Sequence, residues 1–173
     1  PEKLLISGVL KRKEDLLTIL EYCGGRSRYT VESVRQFHQF MDWSDARGEE
    51  LRLYLRLTSG NQFGMDEMTV KNIIGVANMS PYLKIEGIHY FSGTQKKSET
   101  LIGKELEKLD AFLCRTEKEE KFCWKHLEYG PGMSVSYFRG KNGNGAAGKE
   151  GAVSEDRSAS RTAGENTEVF QPG

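Results

Sequence analysis

Over its first 138 residues the chain alternates short apolar runs with longer amphipathic stretches, the pattern of strands followed by helices. Lys3–Val9 predicts a first strand, and Lys13–Cys23 a helix with Leu16, Leu17, Ile19 and Leu20 on its apolar face. Tyr29–Glu32 reads as a second strand, with the helix Ser33–Met41 behind it. The third strand, Leu51–Leu57, alternates without a break: Leu51, Leu53, Leu55 and Leu57 face one way, Arg52, Tyr54 and Arg56 the other. The loop TSGNQFG leads to a helix over Asp66–Met79, and Lys84–Phe91 forms the fourth strand. A long charged helix, Ser98–Glu120, turns Leu101, Leu106, Leu109 and Leu113 inward, and His126–Tyr129 is the fifth strand, ending at Gly130-Pro131-Gly132.

Strands alternating with helices imply parallel pairing through crossover helices, in an open doubly wound sheet or a closed barrel. The third strand separates the two. A central strand of an open sheet is apolar on both sides, whereas this one carries two arginines and a tyrosine on one side. Polar side chains converging on a barrel interior explain that pattern; an edge strand is the alternative. Five strand–helix units in about 138 residues fall short of the roughly 250 that eight units take. The expected fold is therefore α/β, a partial (β/α)8 TIM barrel.

Composition changes at residue 139. The remainder, 139–173, holds seven glycines and only Val153, Val169 and Phe170 as larger hydrophobes, too little apolar surface to offset the entropy of ordering it. It is expected to be a disordered low-complexity tail, or a misread frame. The charges balance, 25 basic against 25 acidic, so the chain lacks the basic footprint of a nucleic-acid binder. No run of about 18 apolar residues suggests a membrane span, and Pro1-Glu2-Lys3 does not open a signal peptide. Cys23, Cys114 and Cys123 make no zinc spacing with His38, His89 and His126; they read as reduced thiols of a cytoplasmic protein.

Barrel sites sit at the C-terminal ends of the strands. The fourth strand ends GIHYFSGTQ, with Gly87, His89 and Phe91 on one face and Ser92-Gly93-Thr94 turning away. Glycine beside a hydroxyl residue offers backbone N–H groups and an O–H to an anion. The fifth strand ends LEYGPGMSVSYF, where Gly130 and Gly132 let the backbone approach a phosphate closely. On pattern alone, a Gly-Pro-Gly is usually just a turn, His89 a hydrogen-bonded core histidine and Arg56 a salt-bridge partner.

The segments SGVLKRKEDL, TVESVRQF, LYLRLTSGNQFGMD, KIEGIHYFSGTQ and LEYGPGMSVSYF stand in an order that resembles the alanine-racemase-like barrel of fold-type III pyridoxal-phosphate enzymes, in its diaminopimelate, ornithine and arginine decarboxylase branch. The resemblance spans about Pro1–Phe138, corresponding to barrel strands three to seven. It implies that the cofactor is pyridoxal 5′-phosphate and that Arg56, His89, Phe91, Gly93, Thr94, Gly130 and Gly132 are cofactor-binding residues. Thr94 replaces the family serine on the phosphate and keeps its hydroxyl. Gly130 and Gly132 match the outer glycines of a phosphate loop in which Pro131 removes one N–H. Phe91 stands where the family often has a histidine stacked on the pyridine ring, and Gln62 where it has the lysine of Lys-Phe-Gly.

The resemblance further implies a parent enzyme, a decarboxylase acting on diaminopimelate or another basic amino acid and working as a cytoplasmic homodimer, without nucleic acid, membrane or metal. No lysine of this chain falls at the family's Schiff-base position, so no catalytic residue is assigned and the chain alone is expected to be an inactive fragment. A racemase-branch or non-catalytic pyridoxal-phosphate-binding barrel is the alternative.

Overall fold

A computed structural model describes residues 4–94 and 98–134; the glycine-rich segment 139–173 lies outside the described residues. Five strands, β1 (Leu5–Ile6), β2 (Arg28–Val31), β3 (Leu51–Leu57), β4 (Leu83–Phe91) and β5 (His126–Gly130), form one sheet in sequence order. Every neighbouring pair is parallel. The connections are the helices α1 (Lys13–Cys23), α2 (Val34–Arg47), α3 (Glu67–Met79) and α4 (Glu99–Glu120), with a 3-10 turn at Gly24–Arg26. The strand–helix alternation of a barrel is thus present four times among the described residues and followed by a fifth strand, about half of a barrel. β3 lies at the centre of the sheet, so its polar side is not that of an edge strand.

Period-two geometry divides the side chains of each strand between the two faces. Leu51, Leu53, Leu55 and Leu57 join one core with Leu16 and Leu20 of α1, Phe37 and Phe40 of α2, Ile73 and Ile74 of α3, and Leu109 and Phe112 of α4. The opposite, concave face carries Thr30, Tyr54, Gly87 and His126 in adjacent register, with Arg56, His89 and Glu128 one layer further toward the strand tips. A bulge in β4 inserts Glu86 between the pairs Leu53–Ile85 and Tyr54–Gly87. That extra residue joins Arg28 (3.3 Å) and Lys125 (3.2 Å) in ion pairs low on the sheet.

Four elements differ from the sequence expectation. The first strand pairs over Leu5–Ile6 only, because it is an edge strand whose partner starts at Arg28. Helix α2 runs past Met41 to Arg47, since Trp43 and Ser44 are buried and Gly48, at φ 61°, ends it in the left-handed conformation. On α4 the buried stripe is Leu109, Phe112 and Thr116, while Leu101 and Leu106 are 54% and 40% exposed. Only the second half of α4 covers the core, tied to α3 by Arg115–Glu67 and Lys71–Glu119 ion pairs. Leu17 of α1 is likewise exposed. Among the described residues no helix is long and apolar enough to cross a membrane.

Two glycines test this packing in opposite directions. A Cβ at Gly87 would stand 2.6 Å from the Tyr54 ring and 2.9 Å from the His126 carbonyl oxygen. Gly87→Ala is therefore expected to destabilise the chain by about 1–3 kcal/mol. Gly103, inside α4, has nothing within 4 Å of its Cβ position, and Gly103→Ala should stabilise by up to ~1 kcal/mol. Urea unfolding of the two variants, with midpoints moving in opposite directions, checks both.

Candidate functional site

The site is built where β3, β4 and β5 end. Phe91, the last residue of β4, pairs in register with Gly130, the last of β5. A Cβ at Gly130 would stand 2.7 Å from Phe91 Cδ2, so the ring lies across the neighbouring strand because that position has no side chain. Beyond the tips the two turns meet. Gly93 has φ 123° and Gly132 φ 66°, conformations open to glycine. A Cβ at Gly132 would fall on the Gly93 carbonyl group and close to Thr94 Cα. Ser92 fastens the turns together: its N–H donates to the Gly130 carbonyl (3.1 Å), and its hydroxyl to the carbonyls of Gly130 and Pro131 (3.3 Å each). Thr94 remains exposed at the edge of this junction. Two glycine turns, an exposed hydroxyl and an aromatic face thus share one corner of the sheet.

One layer below, Arg56 pairs in register with His89. The loop after β3 folds back through Thr58 N–H to Met65 O (2.9 Å) and Met65 N–H to Arg56 O (2.8 Å), which sets the Phe63 ring 5.5 Å from the Arg56 guanidinium. Arg56 Nη1 donates to Glu32 Oε2 at 2.6 Å in a pair whose side chains are 9% and 2% exposed. The other Glu32 oxygen accepts from Thr30 Oγ1 (3.0 Å) and faces Lys11 Nζ at 3.9 Å. Lys11 in turn donates to the carbonyls of Gly8 (2.7 Å) and Thr30 (2.9 Å) and to Thr30 Oγ1 (3.1 Å).

The charges in this cluster set one another's protonation. Burial alone would push the Glu32 carboxyl up, but its hydrogen bond to Arg56 and the charges of Arg56 and Lys11 bring it below the ordinary 4.5. Burial lowers Lys11 to about 8, with Glu32 opposing and Arg56 assisting. His89 is lowered from 6.5 by burial and then by Arg56, against the attraction of Glu32 and Glu128. It is therefore neutral at physiological pH, and its Nδ1 is buried without a hydrogen-bond partner.

All seven residues expected from the sequence lie at the C-terminal edge. Phe91, Gly93, Thr94, Gly130 and Gly132 form the tip corner; Arg56 and His89 form the layer below. Arg56 also has the salt-bridge partner that its pattern alone suggested, whereas His89 Nδ1 lacks the bond of an ordinary core histidine. Sequence reasoning missed Lys11, Thr30 and Glu32. Glu32 had a signal: an acidic residue at the end of an apolar strand, two residues beyond Thr30 on the same face. Two grooves of the described residues run elsewhere, between α3 and α4 beside Met68 and Gly75, and between α1 and α2 beside Leu17 and His38. No cluster of three or more metal-ligating side chains occurs among the described residues.

No family model matches the chain. It is similar to the diaminopimelate decarboxylase of Haemophilus influenzae, 26% identical over 160 residues that cover 78% of this chain and 35% of that protein. Its fold is similar to the crystal structure of diaminopimelate decarboxylase from M. jannaschii in complex with L-lysine, with a TM-score of 0.68 at 20% identity over 82% of this chain and 36% of that one. Lysine/ornithine decarboxylase from Vibrio vulnificus complexed with cadaverine gives 0.61 at 20% identity, over 75% and 34%. Alanine racemase from Clostridium difficile 630 in complex with cycloserine gives 0.58 at 17% identity, over 71% and 34%. The chain spans about a third of the length of these proteins (35% of the first). The resemblance noted in the sequence is met at both levels: the chain is similar in sequence to a diaminopimelate decarboxylase, and it folds as part of an α/β barrel similar to those of these structures.

The electrostatics of the cluster predict an acid-sensitive fold. Glu32 and Glu86 are held below 4.5 and His89 below 6.5 when folded. As the pH falls, the unfolded chain takes up these protons first, so stability is lost progressively below about pH 6.5 and faster below about 4.5. Urea midpoints between pH 7 and about pH 3 should fall in that order, and Glu32→Gln should flatten the lower part of the slope. Constant midpoints across this range would contradict the assignment.

Proposed function

We propose that the chain is part of a pyridoxal-phosphate-dependent amino-acid decarboxylase, and that its share of the site is the phosphate end and the ring face. The observation that carries the reading is the junction of the Gly93-Thr94 and Gly130-Pro131-Gly132 turns beside the Phe91 ring, at the strand ends of a fold similar to these decarboxylases. The residues present fit the cofactor there. At Gly130 and Gly132 a side chain has no room, the turns offer backbone N–H groups, and the Thr94 hydroxyl is exposed. Pro131 makes the donor set one N–H smaller.

Bound at this corner, pyridoxal phosphate would supply an electron sink for the charge left on an amino acid's α-carbon when its carboxylate departs. Each residue then has a definite task. Thr94 and the turn amides bind the phosphate oxygens, and Phe91 offers an aromatic face that stacks but donates no proton. Neutral His89 offers a hydrogen-bonding nitrogen without charge, and Arg56 a fixed cation. Lys11 is committed to Gly8, Thr30 and Glu32 and is not the covalent lysine of such a site. With no lysine at the position the resemblance gives the Schiff base, the chain alone is expected to bind without decarboxylating.

The substrate proposed for the whole enzyme is diaminopimelate or another basic amino acid. The H. influenzae relative is a diaminopimelate decarboxylase, and the M. jannaschii and V. vulnificus structures hold L-lysine and cadaverine. A cytoplasmic homodimer completes this proposal. The racemase reading is weaker, with lower fold similarity and identity than either decarboxylase.

The probe is 4′-deoxypyridoxine 5′-phosphate, which keeps ring and phosphate but lacks the aldehyde. The chain should bind it saturably. Gly132→Ala should abolish binding with an unchanged circular dichroism spectrum, because the added Cβ collides with the Gly93 carbonyl. Thr94→Val should weaken binding about tenfold, the loss of one hydrogen bond to a charged group. Unchanged affinity in Gly132→Ala would refute the reading. Release of carbon dioxide by the intact gene product from diaminopimelate, lysine, ornithine or arginine then sets the substrate.

A further inference from the structure

The concave face holds a chain of charges that the phosphate corner does not require. Lys11, Glu32 and Arg56 come from the segment after β1, the end of β2 and the C-terminal end of β3, and their side chains are 5%, 2% and 9% exposed. Burying three ions carries a desolvation penalty that apolar residues of similar volume would avoid, so such a cluster is weak as a device for stability alone.

Glu32 is the hub. Its carboxylate is held by Arg56 Nη1 (2.6 Å), Thr30 Oγ1 (3.0 Å) and the charge of Lys11 (3.9 Å). Its backbone N–H donates to Gln36 Oε1 (2.9 Å), and Gln36 Nε2 donates to the Val9 carbonyl (3.0 Å) just before Lys11. The carboxylate therefore has one orientation, and it transmits that orientation to the guanidinium. Arg56 gives Nη1 to Glu32 and packs against Phe63, beside His89 with its unpartnered Nδ1.

We propose that Glu32, steadied by Lys11, is a positioning residue for Arg56: it turns the guanidinium onto the concave face beside His89, where the remaining donors meet an anionic oxygen on the ring of the ligand. This contact is separate from the phosphate held by the strand-tip turns, and it rests on the pyridoxal-phosphate reading of the site. Glu32 touches no ligand; it acts through Arg56.

The test compares two probes on the full chain by calorimetry, 4′-deoxypyridoxine 5′-phosphate and inorganic phosphate. Glu32→Gln should weaken the first about tenfold, the scale of one charge-assisted hydrogen bond, and leave the second within about twofold. Arg56→Met should show the same selective loss, and adding Glu32→Gln to it should change nothing further. Glu32→Asp, which keeps the charge but draws it back by one methylene, should reproduce the selective loss and guards against misfolding of the Gln variant. Equal loss for both probes, additive losses in the double variant, or no loss at all would each overturn the proposal. If the wild type binds neither probe, the cofactor reading fails. The Arg56 Nη1–H resonance, slowly exchanging in the wild type and lost in Glu32→Gln, then still decides the positioning role, and its retention refutes it.

Discussion

A guanidinium buried in the central strand of a sheet must have a carboxylate beside it, and the concave face of this chain is arranged around that need. Arg56 pairs with His89 on the β4 side, and its carboxylate partner comes from the end of β2, where Glu32 stands. Glu32 in turn is a buried anion with a second oxygen to satisfy, and Thr30 and Lys11 complete its surroundings. Removing Glu32 leaves two uncompensated buried cations, a change that costs about 3–5 kcal/mol for buried pairs. The first, second and third strands are therefore coupled electrostatically at the level where a ligand would lie, independently of the leucine core behind them.

The second constraint is steric. Twice on this face an aromatic ring reaches across the neighbouring strand at a position occupied by glycine. Tyr54 crosses Gly87 to stack on His126, with ring centroids 5.9 Å apart and planes 8° from parallel, and Phe91 lies against Gly130. Any side chain at either glycine would lift the ring. The same economy of space lets the Gly93 and Gly132 turns touch backbone to backbone. Glycines that look like ordinary loop or strand breakers in the sequence are here the positions that allow aromatic faces and turn amides to occupy one corner.

Together these two constraints divide the edge of the partial barrel into chemically distinct layers. The tip provides uncharged donors suited to a phosphate, the layer below a fixed cation and a neutral histidine, and the layer below that an aromatic floor of Tyr54 and His126. The similarity to diaminopimelate and lysine/ornithine decarboxylases covers about a third of those proteins and supports the fold. The layering is what supports the proposal of a cofactor with a phosphate at one end and a ring at the other.

Local pattern determined a large part of this. Strict alternation in Leu51–Leu57 specified both the strand and its two unlike faces, because a period of two admits no other division. Parallel order followed from the strand–helix rhythm, and the glycine and hydroxyl residues at the tips were legible because few residue types tolerate such turns. Tertiary structure decided what depends on distant segments meeting. The burial of Trp43 lengthened α2, the overhang of α4 exposed Leu101 and Leu106, and the bulge at Glu86 set the register of β4. Above all, the pairing of Lys11, Glu32 and Arg56 joins residues 21 and 24 positions apart along the chain, since the partner of a buried charge is chosen by space and not by spacing.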